Sequence, residues 1–195
     1  MKTLKLNNWL LGVALTVAAL SSQAANAVLP VLPGNSIYQL NTALTDQDGH
    51  DFRLSSKRGK PLIISMFYNS CQFVCPMLID TLRATESALT AQQRAKLAVL
   101  LVTFDPQRDT VEVLKQIAVK RQVDTANWTL ARTDAAAVRK LAAVLGIQYR
   151  LLDNGDYNHT TALILLDGAG RIVGSTNEIG EVDPQFLKLV QAAVD

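Results

Sequence analysis

Cys71 and Cys75, the only cysteines among 195 residues, are separated by Gln72-Phe73-Val74 and followed at once by Pro76. Thiols at that spacing can hold a soft metal ion, exchange with a disulfide or close a short staple. A bridge around so few residues removes little entropy from the unfolded chain, so a purely structural disulfide is the weakest of the three readings. The intervening residues carry no charge, and activation of a thiolate must come from elsewhere. A helix opening near Pro76 is one source, because the partial positive charge at a helix N-terminus favours thiolate, and a more distant partner, His159, is the other.

Histidine occurs only at positions 50 and 159. His50 follows an Asp48-Gly49 turn beside Asp51 and reads as an exposed turn residue. His159 stands at the start of an apolar run, Thr160 to Leu166, that reads as a strand able to lie beside the one delivering the cysteines. Two thiolates and one imidazole suit copper, since Cu(I) accepts few ligands and favours sulfur. Zinc is the competitor, but a closed zinc site wants four ligands, and the chain offers no further cysteine and no second histidine near this region.

The elements that must position these residues follow from periodicity. Pro61 to Phe67 and Lys96 to Phe104 are short apolar runs of the kind found in strands buried on both faces. The first ends just before the cysteines, which places them at a strand-to-helix edge where ligands collect in α/β sheets. Ser36 to Leu40 and Asp51 to Leu54, flanking the Asp46-Gln47-Asp48-Gly49 turn, predict an N-terminal β-hairpin. Helices are expected over about 76–89, from Asp109 to about Arg121 with Asp109 and Glu112 at capping-box spacing, over 134–145 with Gly146 as stop, and after Asp183-Pro184. Further strands are expected at Trp128 to Ala131, Tyr149 to Leu152 and Arg171 to Ser175. Alternating elements predict a mixed α/β sheet flanked by helices.

The first 27 residues have the layout of an export signal: Lys2 and Lys5, an apolar stretch from Trp9 to Leu20, then small residues up to Ala24 and Ala27. The stretch falls short of the roughly 18 to 20 residues of a spanning helix. Residues 28–195 are then one domain. Without Lys2 and Lys5, 17 basic residues face 17 acidic ones, and Lys57-Arg58-Gly59-Lys60 is a solvated turn with no aromatic platform, so nucleic acid is not expected as a partner.

Three segments together resemble the Sco/SenC family: Tyr68-Asn69-Ser70-Cys71-Gln72-Phe73-Val74-Cys75-Pro76, then Asp105-Pro106-Gln107-Arg108-Asp109-Thr110, then Asn158-His159-Thr160-Thr161. The resemblance implies a thioredoxin-like domain that binds a copper ion through Cys71, Cys75 and His159. It implies a periplasmic chaperone whose partner is the copper-receiving subunit of cytochrome c oxidase or another periplasmic cuproprotein; family members are often membrane-tethered, whereas the leader reading allows membrane association only through an uncleaved N-terminus. Asp105, Pro106, Arg108 and Asp109 would shape the neighbouring loop, although Asp109 reads equally as a helix cap and Arg108 as a surface ion pair. Where family members carry acidic residues between the cysteines and before the histidine, this chain has Gln72-Phe73-Val74 and Asn158. The loss of negative charge lowers the expected copper affinity and raises the weight of redox chemistry.

The rival reading is a thiol-disulfide oxidoreductase in which Cys71 and Cys75 form the catalytic pair. Against it, proteins of the thioredoxin type use C-x-x-C and a proline ahead of the facing strand, and Asn158-His159-Thr160 contains none. A thiol peroxidase lacks the electropositive surroundings its cysteine needs.

Overall fold

Two strands, apolar but for Ser65 in one and Thr103 in the other, form the middle of the fold. A computed structural model describes residues 31–70 and 74–195, and of Val74 and Cys75 the backbone alone. The leader expected over residues 1–27 and the side chains of both cysteines lie outside that description. Strand β3 (Leu62–Phe67) is buried along its whole length, and β4 (Ala98–Thr103) runs parallel to it in the register Leu62 to Ala98 through Phe67 to Thr103. Neither strand alternates polar and apolar residues, because both faces are covered.

Around this pair a seven-stranded sheet forms in the order β2-β1-β5-β4-β3-β8-β9. Its other members are β1 (Ala43–Asp46), β2 (Asp51–Arg53), β5 (Trp128–Arg132), β8 (Leu163–Leu166) and β9 (Ile172–Thr176). Strand β5 is parallel to β4, whereas β1 and β8 close the parallel core with antiparallel pairings to β5 and β3. Strands β6 (Tyr149–Leu151) and β7 (Tyr157–His159) form a separate hairpin. This is the mixed, helix-flanked, thioredoxin-like sheet that the sequence predicts.

Each long helix turns one apolar stripe inward. Leu78, Ile79 and Leu82 are buried on α1 (Val74–Ser87), and Leu114 and Ala118 on α3 (Val111–Lys120). Val138, Leu141, Ala142 and Leu145 do the same on α4 (Ala135–Leu145), as do Phe186, Val190 and Val194 on α5 (Pro184–Val194). Asp134 caps α4 by accepting from the Ala136 and Ala137 amides, and Gly146 ends it at φ 69°. A short helix absent from the sequence reading, α2 (Ala91–Lys96), starts at a capping box in which Thr90 and Gln93 satisfy each other's amides. No helix among the described residues is long and apolar enough to cross a membrane.

The N-terminal hairpin exists, but its first strand is Ala43–Asp46 and not Ser36 to Leu40. Ile37–Leu40 is a 3-10 turn, because the Ser36 hydroxyl accepts from the Tyr38 amide while Ile37 and Tyr38 sink into the core. Asn41, at φ 47°, then redirects the chain into β1. The Asp46–Gly49 turn forms as expected, with Gly49 at φ 84°. His50 is exposed and pairs with Asp46 at 3.3 Å, a surface turn residue as its sequence setting indicates.

Candidate functional site

Strands β3 and β4 end side by side, and their continuations begin the candidate site. After Phe67 come Tyr68, Asn69 and Ser70, leading to Cys71; after Thr103 come Phe104 and Asp105. The Phe104 amide donates to the Phe67 carbonyl at 2.9 Å, so the two continuations leave the sheet together. Of the two cysteines, Cys75 is placed at a helix N-terminus: α1 begins at Val74, with Cys75 in its first turn.

His159 reaches this edge on its own small hairpin. The sequence places it at the start of a Thr160 to Leu166 strand, but β8 begins only at Leu163, and His159 instead ends β7 opposite Tyr149. The turn at Asn154-Gly155, with Gly155 at φ 83°, folds the chain back so that 157–159 pair with 149–151. Residues 160–162 then connect the hairpin to β8, and the Ser65 hydroxyl of β3 donates to the Ala162 carbonyl at 2.6 Å, pinning that connection to the central strand. Strand β8 does lie next to β3, as expected.

Residues opposite each other across a strand pair share a face, so Tyr149, Leu151, Tyr157 and His159 lie together. Three of them, Tyr149, Tyr157 and His159, meet a wall made by Tyr68 and Phe104, while Leu151 is exposed. The His159 ring lies 5.6 Å from the Tyr68 ring and 5.0 Å from the Phe104 ring, centroid to centroid. Tyr157 meets the same two rings at 5.2 and 5.0 Å, and Tyr149 stacks on Phe104 at 5.3 Å. Such contacts are worth about 0.5–1.5 kcal/mol each beyond burial, enough together to hold the imidazole against the end of β3.

The half-buried imidazole is also held in orientation. Its Nδ1 lies 3.2 Å from the Thr160 carbonyl oxygen and 3.3 Å from the Thr161 hydroxyl. Donation from Nδ1 to that carbonyl leaves the Nε2 lone pair as the coordinating position, the arrangement in which a backbone oxygen fixes a ligating histidine's tautomer. A polar recess of about 370 Å³ opens beside it, lined by Gln148, Tyr149, Arg150, Asn158, His159 and Thr160. His50 sits beyond β1, three strands from β3 and so about 14 Å away at ordinary strand spacing. No cluster of three or more metal-ligating side chains occurs among the described residues.

The Asp105–Thr110 loop departs from its sequence reading. Asp109 does not cap α3; Thr110 does, accepting from the Val113 amide. The Asp109 carboxylate turns inward, 1% exposed, where it accepts from the Thr103 hydroxyl and from the Asn69 amide at 3.1 Å. Burial pushes its pKa up, and those two hydrogen bonds only partly oppose the rise. Arg108 does form an ion pair, with the buried Asp105, and its guanidinium also lies 5.6 Å over the Tyr157 ring. Burial raises the phenol pKa of Tyr157 and of Tyr149. Sequence reasoning missed the aromatic wall; its signal was an aromatic residue directly after each central strand and the two-residue spacing of Tyr157 and His159.

The family model described as SCO1/SenC matches residues 34–193. The chain belongs to the SCO1/SenC family. It is 28% identical over 160 residues to a Stutzerimonas stutzeri protein named as a copper-binding candidate, covering 80% of this chain and 75% of that one. The structure of Bradyrhizobium japonicum ScoI with copper bound aligns with a TM-score of 0.60 and 27% identity, over 75% of this chain and 95% of that one. BsSco, described as a Sco-family cytochrome c oxidase assembly protein with a disulfide switch, aligns with a TM-score of 0.65 and 17% identity, over 78% and 90%. At that identity BsSco speaks for the fold alone.

Proposed function

We propose that this SCO1/SenC protein is a periplasmic copper chaperone that assists assembly of the copper centre of cytochrome c oxidase, with Cys71, Cys75 and His159 as ligands. The observation carrying the reading is the placement of the His159 ring against Tyr68, three residues before Cys71, with Nδ1 engaged and Nε2 left to coordinate. Three residues of chain span at most about 10–11 Å, so an imidazole in contact with Tyr68 is within a loop's reach of the Cys71 thiol. The donor set, two sulfurs and one imidazole, fits Cu(I) and falls short of a closed zinc site.

Copper is cargo in this scheme. Three ligands at an accessible edge leave room for an acceptor's thiolate to enter before the chaperone's own ligands depart, which lets the ion pass by ligand exchange. The names of two relatives support the copper connection, and membership of the SCO1/SenC family supports the link to oxidase assembly. Export through a leader over residues 1–27, leaving a domain over 28–195, completes the proposal.

Anaerobic titration of the reduced protein with Cu(I) and Cu(II), for the wild type and His159→Ala, tests it. One ion per chain and a strong loss of affinity in the variant are expected; equal stoichiometry and affinity would take His159 out of the site. The second reading, a thiol-disulfide oxidoreductase, draws support from the position of Cys75 in the first turn of α1. Under it the reduced pair gives two electrons and two protons to a target disulfide, and His159→Ala leaves that exchange intact.

A further inference from the structure

The aromatic wall and the Asp105–Thr110 loop touch both halves of the site, and they do so through different residues. Asp109 reaches the thiol segment: its buried carboxylate accepts from the backbone amide of Asn69, two residues before Cys71. Thr103 orients that carboxylate, because its oxygen accepts from the Asp105 amide at 3.0 Å and its proton is thereby aimed at Asp109. Arg108 reaches the other half. Held by Asp105, it lies over the Tyr157 ring, and a Cβ placed on Gly155 would come 3.7 Å from its Nη1. Tyr157 and Gly155 belong to the hairpin that carries His159.

The loop itself is stiff. The Arg108 and Asp109 amides both donate to the Asp105 carbonyl, at 3.2 and 2.9 Å, and Arg132 donates to the Pro106 carbonyl at 2.6 Å. Adjacent residues of a rigid turn thus project in two directions. We propose that this loop is a two-armed bracket in which Asp109 positions the Cys71–Cys75 segment and Arg108 positions the His159 hairpin, the two arms acting independently. Neither residue is a ligand in this scheme; both are positioning residues. The proposal rests on reading Cys71, Cys75 and His159 as one site.

Because the arms end on different segments, substitution separates them. In the metal-free protein, Asp109→Ala is expected to move the Cys71/Cys75 equilibrium with glutathione about tenfold, which is about 30 mV for a two-electron couple, while the His159 ring resonances stay in place. Asp109→Asn keeps an oxygen for the Asn69 amide and is expected to restore the wild-type equilibrium. Arg108→Ala is expected to do the reverse, shifting the His159 ring resonances and leaving the thiol equilibrium within twofold.

The bracket is overturned if either variant moves both readouts together, or if Asp109→Ala leaves the thiol equilibrium unchanged. Should Asp109→Ala fail to fold, hydrogen exchange in the unmodified protein decides: a protected Asn69 amide supports the anchor and exchange at the rate of an open chain removes it. None of these readouts needs copper. A wild-type protein that binds no copper would defeat the proposed function and leave the bracket standing.

Discussion

The ring of His159 meets the ring of Tyr68 edge-on, with centroids 5.6 Å apart and planes at 89°. Tyr68 is the first residue beyond β3 and is itself buried, so the central strand sets where the imidazole rests. Tyr68→Ala is expected to cost about 3–5 kcal/mol of stability, the range for deleting a buried aromatic side chain, and to weaken copper binding by loosening His159. Tyr68→Phe keeps the ring that meets His159 and is expected to lose far less of both than Tyr68→Ala. Urea unfolding and Cu(I) competition titrations of the two variants check the pair; equal copper affinity in Tyr68→Ala would separate the wall from the site.

Gly170 lies at φ 81°, and a Cβ there would stand 2.5 Å from Cδ2 of the buried Tyr38 ring. The Ile37 amide donates to the Gly170 carbonyl at 2.9 Å, so neither backbone is free to retreat. Gly170→Ala combines left-handed strain with overpacking and is expected to destabilise by about 2–5 kcal/mol. Gly146 has a similar φ of 69° with nothing within 4 Å of a Cβ, and Gly146→Ala is expected to cost only about 1–2 kcal/mol, the strain alone. Equal unfolding midpoints for the two variants would refute the clash.

Tyr38 titrates late. Burial, reinforced by the Asp167 charge and opposed by Arg58, raises its pKa to about 12. In the unfolded chain a tyrosine loses its proton near pH 10, so between about pH 10 and 12 deprotonation favours the unfolded state. Stability from this group is complete below pH 10 and falls by about 2–3 kcal/mol by pH 12. Lys57, lowered by burial, changes stability in the opposite direction over part of that range. Comparison with Tyr38→Phe isolates the phenol: the variant is expected to lose less stability than wild type from pH 10 to 12, and parallel curves would contradict the assignment.

Glu86 accepts from the Trp128 indole at 2.8 Å, and burial raises its pKa above the usual carboxylate value. The fold therefore favours the neutral acid: its contribution is complete below the unfolded pKa and lost as pH rises through the folded one. Glu86→Gln keeps an oxygen for the indole and stays neutral, so it is expected to match wild type at pH 4 and to equal or exceed it at pH 7. A clear loss at pH 7 in chemical denaturation would show that the charge itself is needed.

The core of the sheet was legible because β3 and β4 are short apolar runs with a single polar residue each, and α4 because Asp134, a 3.6-residue stripe and Gly146 mark its start, face and stop. These signals are local. The start of the N-terminal hairpin is not legible in the sequence because Ile37 and Tyr38 look like strand residues, while a hydroxyl cap and core burial fold them into a 3-10 turn. Asp109 has the spacing of a cap yet is none for a related reason: Thr110 beside it takes that role, and the partner that claims Asp109 is an amide 40 residues away.

By itself the sequence determined the residue types of the candidate site and the strand-to-helix junction bearing the cysteines, since chain order and short-range periodicity specify both. Tertiary structure decided what surrounds the imidazole. His159 meets Tyr68 and Phe104, and Asn69 meets Asp109, only because β3 and β4 pair in one register and a separate hairpin folds over their ends. Contacts between distant segments depend on how whole elements bury their apolar faces against one another, and no local pattern encodes that.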